Sequence, residues 1–289
     1  MPGLLIAGLL VDVPGATVLS PGDEPWVRMD ARDYRKRSTT WLRQITPHTT
    51  KGIWPQRIVP GRPPNQGTRA EQVARYWSNN TQPGGAPLIV DGDLISCLVD
   101  LFKFETYHAT KCNPWSCGIE MVQEPDGTIY ESTLDTTVRL ILVLSDILGI
   151  PLQGHSKPYR SNTIIEWLKY GGPNVVGLFG HNQSAWMFPE WYPQKDYARL
   201  IKAYPNGYAD RGRGDPGDEI MVRLRAAGMM TFDIDAGGEL VYWRKVQQHL
   251  NAEHGEKLTA DGVCGPGTVA ALRRAGLWNG GVFVEVPIA

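Results

Sequence analysis

Apolar residues recur along this chain with two periods, and the alternation between them marks out its elements. Leu134–Leu148 repeats its apolar positions every 3.6 residues, as a helix packed on a sheet does. Thr68–Ser78 reads as another helix, with Thr68 at the N-cap and Glu71 at the capping-box position. Ser161–Tyr170, closed by Gly171-Gly172-Pro173, and Asp218–Ala227, entered through Asp215-Pro216-Gly217, are two more. Between them lie runs of strand length: Trp41–His48, Pro87–Val90, Leu94–Val99, Gly118–Val122 and Val175–Phe179. Asp91-Gly92 joins two of these as a hairpin. Strands alternating with helices predict an α/β domain with a mixed central sheet flanked by helices.

Two regions flank that pattern. Residues 1–40 form an N-terminal extension of strand and turn material, punctuated by Pro14-Gly15 and Pro21-Gly22. Its first apolar run has no Lys or Arg before it and is too short to cross a membrane, so it reads as a buried strand and not as a secretion signal. Near residues 230–240, Asp233, Asp235, Gly237 and Gly238 interrupt the periodicity. The predicted division is therefore a domain over 1–230 and a small module over 240–289, with helices at Tyr242–Leu250 and Gly267–Arg274.

Composition narrows the class. With 289 residues, 42% of them hydrophobic and 20% charged, the chain can bury a sizeable core. A formal net charge of −1 argues against a nucleic-acid partner. The 10 Trp and 11 Tyr suit either core filling or a groove for sugar or peptide. Val138–Ile150 carries Arg139 and Asp146 and is no membrane span. Of four cysteines, Cys112 and Cys117 are close enough in sequence for a local bridge, or are two free thiols.

Three potential metal ligands stand beside backbone punctuation. His48 ends a strand, His181 follows one in Gly-Leu-Phe-Gly-His, and Asp215 opens a helix. Two imidazoles and one carboxylate leave a fourth position free for water, as in catalytic zinc sites. Taken singly, each is also what a surface histidine or a helix cap looks like. His155 also follows a glycine, but it comes straight after Ile150-Pro151 rather than after an apolar strand, so His181 is preferred.

The surrounding words distinguish these readings. In order, the chain has His48 closing a strand, Ile89-Val90-Asp91-Gly92, Tyr107-His108-Ala109, Asn113, Gly118-Ile119-Glu120-Met121, Gly180-His181 and Arg213-Gly214-Asp215-Pro216-Gly217. Over roughly residues 40–228 it thus resembles the zinc-dependent N-acetylmuramoyl-L-alanine amidases, a family that includes phage lysins, wall-recycling amidases and animal peptidoglycan-recognition proteins.

The resemblance implies the amidase/peptidoglycan-recognition fold, a Zn2+ cofactor held by His48, His181 and Asp215, and Glu120 as general base. It implies Arg213 as the positive partner of the oxyanion, where the family commonly has Lys. It places His108, Asn113 and Thr49 along the substrate groove. The catalytic Tyr that some members carry before the hairpin is missing from Ala86-Pro87-Leu88, which puts more weight on Glu120. The stretch between His181 and Arg213 is longer than usual and rich in aromatics.

Residues 243–278 resemble the small helical peptidoglycan-binding module of wall hydrolases, with turns at Asp261-Gly262 and Gly265-Pro266 and Thr268 as a helix cap. The expected partner is peptidoglycan, with neither nucleic acid nor membrane, and the expected state is a monomer. The expected route is synthesis in the cytoplasm and action on the bacterial wall, as in phage lysis. A non-catalytic wall-binding protein and an injected toxin are the alternatives.

Overall fold

The computed structural model describes residues 3–39, 41–51, 56–79, 84–108, 110–155, 176–180, 218–232, 238–279 and 282–283. In chain order its elements are β1 Leu4–Ile6, β2 Leu9–Val11, β3 Thr17–Leu19, β4 Tyr34–Lys36, β5 Gln44–Thr49, β6 Arg57–Val59 and α1 Thr68–Asn79. There follow β7 Leu88–Asp91, β8 Leu94–Cys97, β9 Phe104–Thr106, β10 Ser116–Met121, β11 Thr128–Tyr130, α2 Glu131–Leu148, β12 Gln153–His155 and β13 Gly177–Leu178. The chain closes with α3 Asp218–Ala226, β14 Met230–Phe232, α4 Gly238–Glu253, α5 Pro266–Arg274, β15 Trp278–Asn279 and β16 Val282–Phe283.

The central sheet has six strands in the order β13-β5-β10-β7-β8-β3. All its pairs are parallel except β7 with β8, so the α/β fold with a mixed sheet is realised. Strand alternation then separates two faces. Ile45, Leu88, Val90, Cys117, Ile119 and Met121 point into one core with Leu134, Leu140, Ile141 and Leu144 of α2. On the other face Ile89 and Val122 pack with Ala70 and Ala74 of α1, and the polar residues of β5 and β10 lie beside them.

α2 ends as its pattern demands, on Gly149 in the left-handed conformation (φ 65°), whose N–H bonds back to Ser145 and Asp146. The start of α1 departs from expectation. The helix already includes Thr68, and the carbonyl of Gly67 accepts the first helical bond from Glu71, so Gly67 is the N-cap. The missing side-chain cap comes from across the chain: the buried carboxylate of Asp91 accepts the Gly67 N–H at 3.1 Å. The hairpin register accounts for this. Asp91 pairs with Leu94, so Gly92-Asp93 forms the turn and Asp91 keeps a strand position from which it reaches the helix.

The N-terminal extension is built into the body. β3 forms the edge of the central sheet beside β8, and β4 pairs with β9. The opening run is a hairpin whose first strand buries Leu4 and Ile6, whereas Leu9 and Leu10 of the second are exposed. Asp100 anchors the hairpin turn by accepting the N–H groups of Ala7 and Gly8.

At the other end, α4 and α5 pack around Trp243, Val246, Leu250, Val269 and Leu272. Trp243 Nε1 donates to Gln153 Oε1 at 2.7 Å, and Trp278 Nε1 donates to Asp146 Oδ1 at 2.9 Å. Thr268 does not cap α5. Gly265 holds that position, and Thr268 Oγ1 lies inside, accepting from Gln247 Nε2 at 3.1 Å.

Candidate active site

β5 and β10 lie side by side in parallel register, with Gln44 beside Ser116, Thr46 beside Gly118 and His48 beside Glu120. Residues so paired point to the same face, so these six make one polar strip next to α1. A proline inside a strand between two neighbours is unusual. Pro47 is tolerated because its backbone edge belongs to the β13 side. There Gly177 N–H bonds to Arg43 and Phe179 N–H bonds to Ile45, and the last described pair lies before Pro47. The ladder to β10 therefore loses nothing, and His48 follows on the strand's C-terminal end.

His108 closes the strip from above. One of its ring nitrogens, Nδ1, lies 3.1 Å from His48 Nε2, and the other, Nε2, lies 3.1 Å from Ser116 Oγ. The two rings stand nearly perpendicular, at 82°. The ring rests on Gly118, where a Cβ would come within 2.6 Å of both Cγ and Nδ1. Gly118 is thus required for space, not for an unusual backbone angle. The His108 N–H is itself fixed, donating to Asn113 Oδ1 at 3.1 Å. His48, His108, Asn113 and Ser116 are all buried, whereas Glu120 is half-exposed.

From Glu120 an open groove of about 500 Å³ runs along α1. Its walls include Lys51, Gln72, Tyr76, Trp77 and Gln123. Thr50 Oγ1 accepts the Gln123 N–H at 2.9 Å and donates to the Gln123 carbonyl at 3.2 Å, tying the segment after β5 to the segment after β10. Arg69 lies at the far wall, 2.9 Å from Glu124 and 3.6 Å from Asp91. Burial pushes the Asp91 carboxyl up, while Arg69 and the N–H groups of Gly67 and Ala70 pull against it.

The structure thus brings His48, His108, Asn113 and Glu120 together. Thr49, paired with Met121, turns by alternation toward the opposite face and does not join the groove wall. Its neighbour Thr50 lines the groove instead. Cys117 is a free thiol buried in the core under α2, so its sulfur points away from His48; the side chain of Cys112 lies outside the described residues. His181, Arg213 and Asp215 also lie outside them, as do the expected helix over 161–170 and the aromatic stretch between His181 and Arg213. The described chain reaches Gly180, directly after β13, which is the neighbour of β5. Among the described residues no three His, Cys, Asp or Glu side chains are grouped as a metal site.

No family model and no curated protein matches the chain. Among solved structures it is similar to a mutant endolysin from Bacillus subtilis, at 15% identity over 66% of this chain and 98% of that one, with a TM-score of 0.38. It is similar to the catalytic domain of XlyA, at 16% identity over 69% and 98%, with a TM-score of 0.37. A third is the Staphylococcus aureus hydrolase AmiA in complex with its ligand, at 11% identity over 68% and 71%, with a TM-score of 0.37.

Sequence reasoning did not single out Ser116, which holds the far nitrogen of His108, or Thr50 at the groove wall, and it took Gly118 only as part of a motif, not as the residue that makes room for the ring. A signal for Gly118 was available. A lone glycine within a strand pattern marks a close approach by another group.

Proposed function

We propose that the protein is a zinc-dependent N-acetylmuramoyl-L-alanine amidase, hydrolysing the amide between muramic acid and L-alanine in peptidoglycan. The observation that carries this reading is the pairing of His48 with Glu120 across adjacent parallel strands, with Glu120 lining a groove. His48 and Glu120 thereby share one face, which supports reading them as a nitrogen ligand and a carboxylate base.

The donor set suits zinc, which takes imidazole nitrogen and carboxylate oxygen. His48 is a buried imidazole at a strand end, held by a second imidazole. In this reading His181, into which the segment after β13 leads, and Asp215 are the remaining ligands. Zinc, when bound, supplies Lewis acidity toward water and the scissile carbonyl. Glu120, half-exposed at the groove, takes the proton of the attacking water and returns it to the leaving amine of L-alanine. Arg213 does not donate that proton, because a guanidinium stays charged; it stabilises negative charge on the carbonyl oxygen. The groove along α1, which Glu120 lines, receives the substrate, and His108 and Asn113 lie buried behind His48.

The segment over 240–289 serves as a wall-binding module in this reading, which places the protein at the bacterial wall as a monomeric lytic enzyme. A tether of this kind raises the effective concentration of the catalytic domain on an insoluble polymer.

The test is mass spectrometry of purified peptidoglycan treated with wild-type protein, chelator-stripped protein and Glu120→Gln. Intact stem peptides with free L-alanine amino termini are expected from the first alone. Co-sedimentation with the wall without any release would replace the enzyme with a binding protein.

A further inference from the structure

Arg37 lies just outside the region that carries the sequence resemblance, at the end of the N-terminal extension, yet it reaches into the segment that holds His108. It is buried, and its guanidinium donates to four backbone carbonyls. Nη2 meets Leu101 at 3.2 Å and Phe104 at 2.8 Å; Nη1 meets Asn113 at 3.1 Å and Pro114 at 2.6 Å. The first two precede His108 and the last two follow it, so one cation joins both ends of the loop.

The same strand adds backbone bonds. Arg37 N–H donates to Lys103, and Tyr107 N–H donates to the carbonyl of Asp33. β4 pairs with β9, and Asp33 Oδ1 accepts the N–H of Gly84. No carboxylate pairs with Arg37 among the described residues; the buried Glu105 next to the strand pairs with Arg35 instead. A buried charge held only by carbonyl dipoles is costly unless its geometry is well satisfied. Its Nε finds no partner among the described residues, so the clamp rests on Nη1 and Nη2, whose rigid planar fork suits spanning several fixed acceptors better than a flexible ammonium does.

We propose that Arg37 is a positioning residue for the site: by clamping the chain on both sides of His108 it holds the imidazole over Gly118, between His48 and Ser116. The catalytic consequence rests on the function proposed above; the placement of the ring does not. A ring held at both nitrogens exchanges tautomers only if His48 and Ser116 change roles with it, so one arrangement is expected to dominate while the ring stays in place. Once the loop loosens, the ring samples both.

The experiment compares wild type, Arg37→Lys and Arg37→Gln by thermal unfolding, by long-range 1H–15N spectra of the histidine rings, and by stem-peptide release from purified peptidoglycan. His108 signals are assigned with His108→Gln. The wild type is expected to show one His108 tautomer, Arg37→Gln averaged nitrogen shifts, and Arg37→Lys an intermediate pattern. Release should fall about tenfold or more in Arg37→Gln, with partial recovery in Arg37→Lys.

If a folded Arg37→Gln keeps the wild-type tautomer signature, the proposal is wrong whatever its activity. If neither variant folds, Arg37 is a structural residue only and the proposal is equally overturned. If the wild type shows the single tautomer but releases nothing, the amidase reading fails while the clamp stands.

Discussion

Replacing Gly118 by alanine tests the geometry of the site most directly. An added Cβ would lie 2.6 Å from Cγ and Nδ1 of His108 and 3.0 Å from Cδ2. Carbon contacts relax to about 3.5–4.0 Å, so the ring must retreat by roughly 1 Å. It cannot do so freely, since one nitrogen lies 3.1 Å from His48 and the other 3.1 Å from Ser116. Displacement of roughly 1 Å lengthens or misaligns both contacts. Overpacking of this kind costs about 1–3 kcal/mol. For a protein of this size that corresponds to a fall in Tm of roughly 2–10 °C. Misplacement by about 1 Å also costs on the order of 100-fold in rate where orientation governs catalysis. Thermal unfolding and stem-peptide release read the two effects separately. Gly267→Ala is the control, because a Cβ there meets Leu258 at an ordinary 3.8 Å; it should be neutral or slightly stabilising. A Gly118→Ala protein matching wild type in both Tm and rate would refute the placement of His108 over the strand.

Three further predictions concern the scaffold. Burial pushes the Asp100 carboxyl up, but the N–H groups of Lys103, Phe102, Ala7 and Gly8 outweigh it and hold the group below its usual value. The stability it contributes is therefore present above the unfolded carboxyl pKa of about 4 and lost as pH falls through the lower folded value. Denaturant midpoints of wild type and Asp100→Asn should differ at pH 6 and converge under acid; a constant gap would disprove the linkage. Asp91→Ala removes both the cap of α1 and one partner of the buried Arg69, and should cost about 3 kcal/mol by denaturant titration. A loss below about 0.5 kcal/mol, the range of ordinary surface substitutions, would deny that role. The Cys97 and Cys117 thiols are pushed up to about 12 by burial, so native protein at pH 8 should leave both unmodified by iodoacetamide, and unfolded protein should not. Peptide mapping by mass spectrometry decides it.

Period and punctuation suffice for local structure, because they act over a few residues. They placed α2, the β7–β8 hairpin and the strands that became β5 and β10, with ends shifted by a few residues. Glu120 became a candidate, and His48 more than a lone histidine, only through the family resemblance that the order of short motifs carries. They could not reveal that His48 and Glu120 are register partners, since register is set by which strands neighbour each other. Nor could they show that Thr49, adjacent to His48 in sequence, faces the other way, until the pairing with Met121 assigned each side of the strand. The cap of α1 was misplaced for a related reason. Thr68 satisfies the local rule, but the carboxylate that meets the helix start comes from Asp91, 24 residues beyond Gly67. Arg37 is the extreme case. A single arginine in an irregular segment has no local signature, and its meaning arises when folding brings four carbonyls within reach of one guanidinium. Contacts between residues distant in sequence are what the tertiary structure alone decides, because they depend on how already formed elements pack.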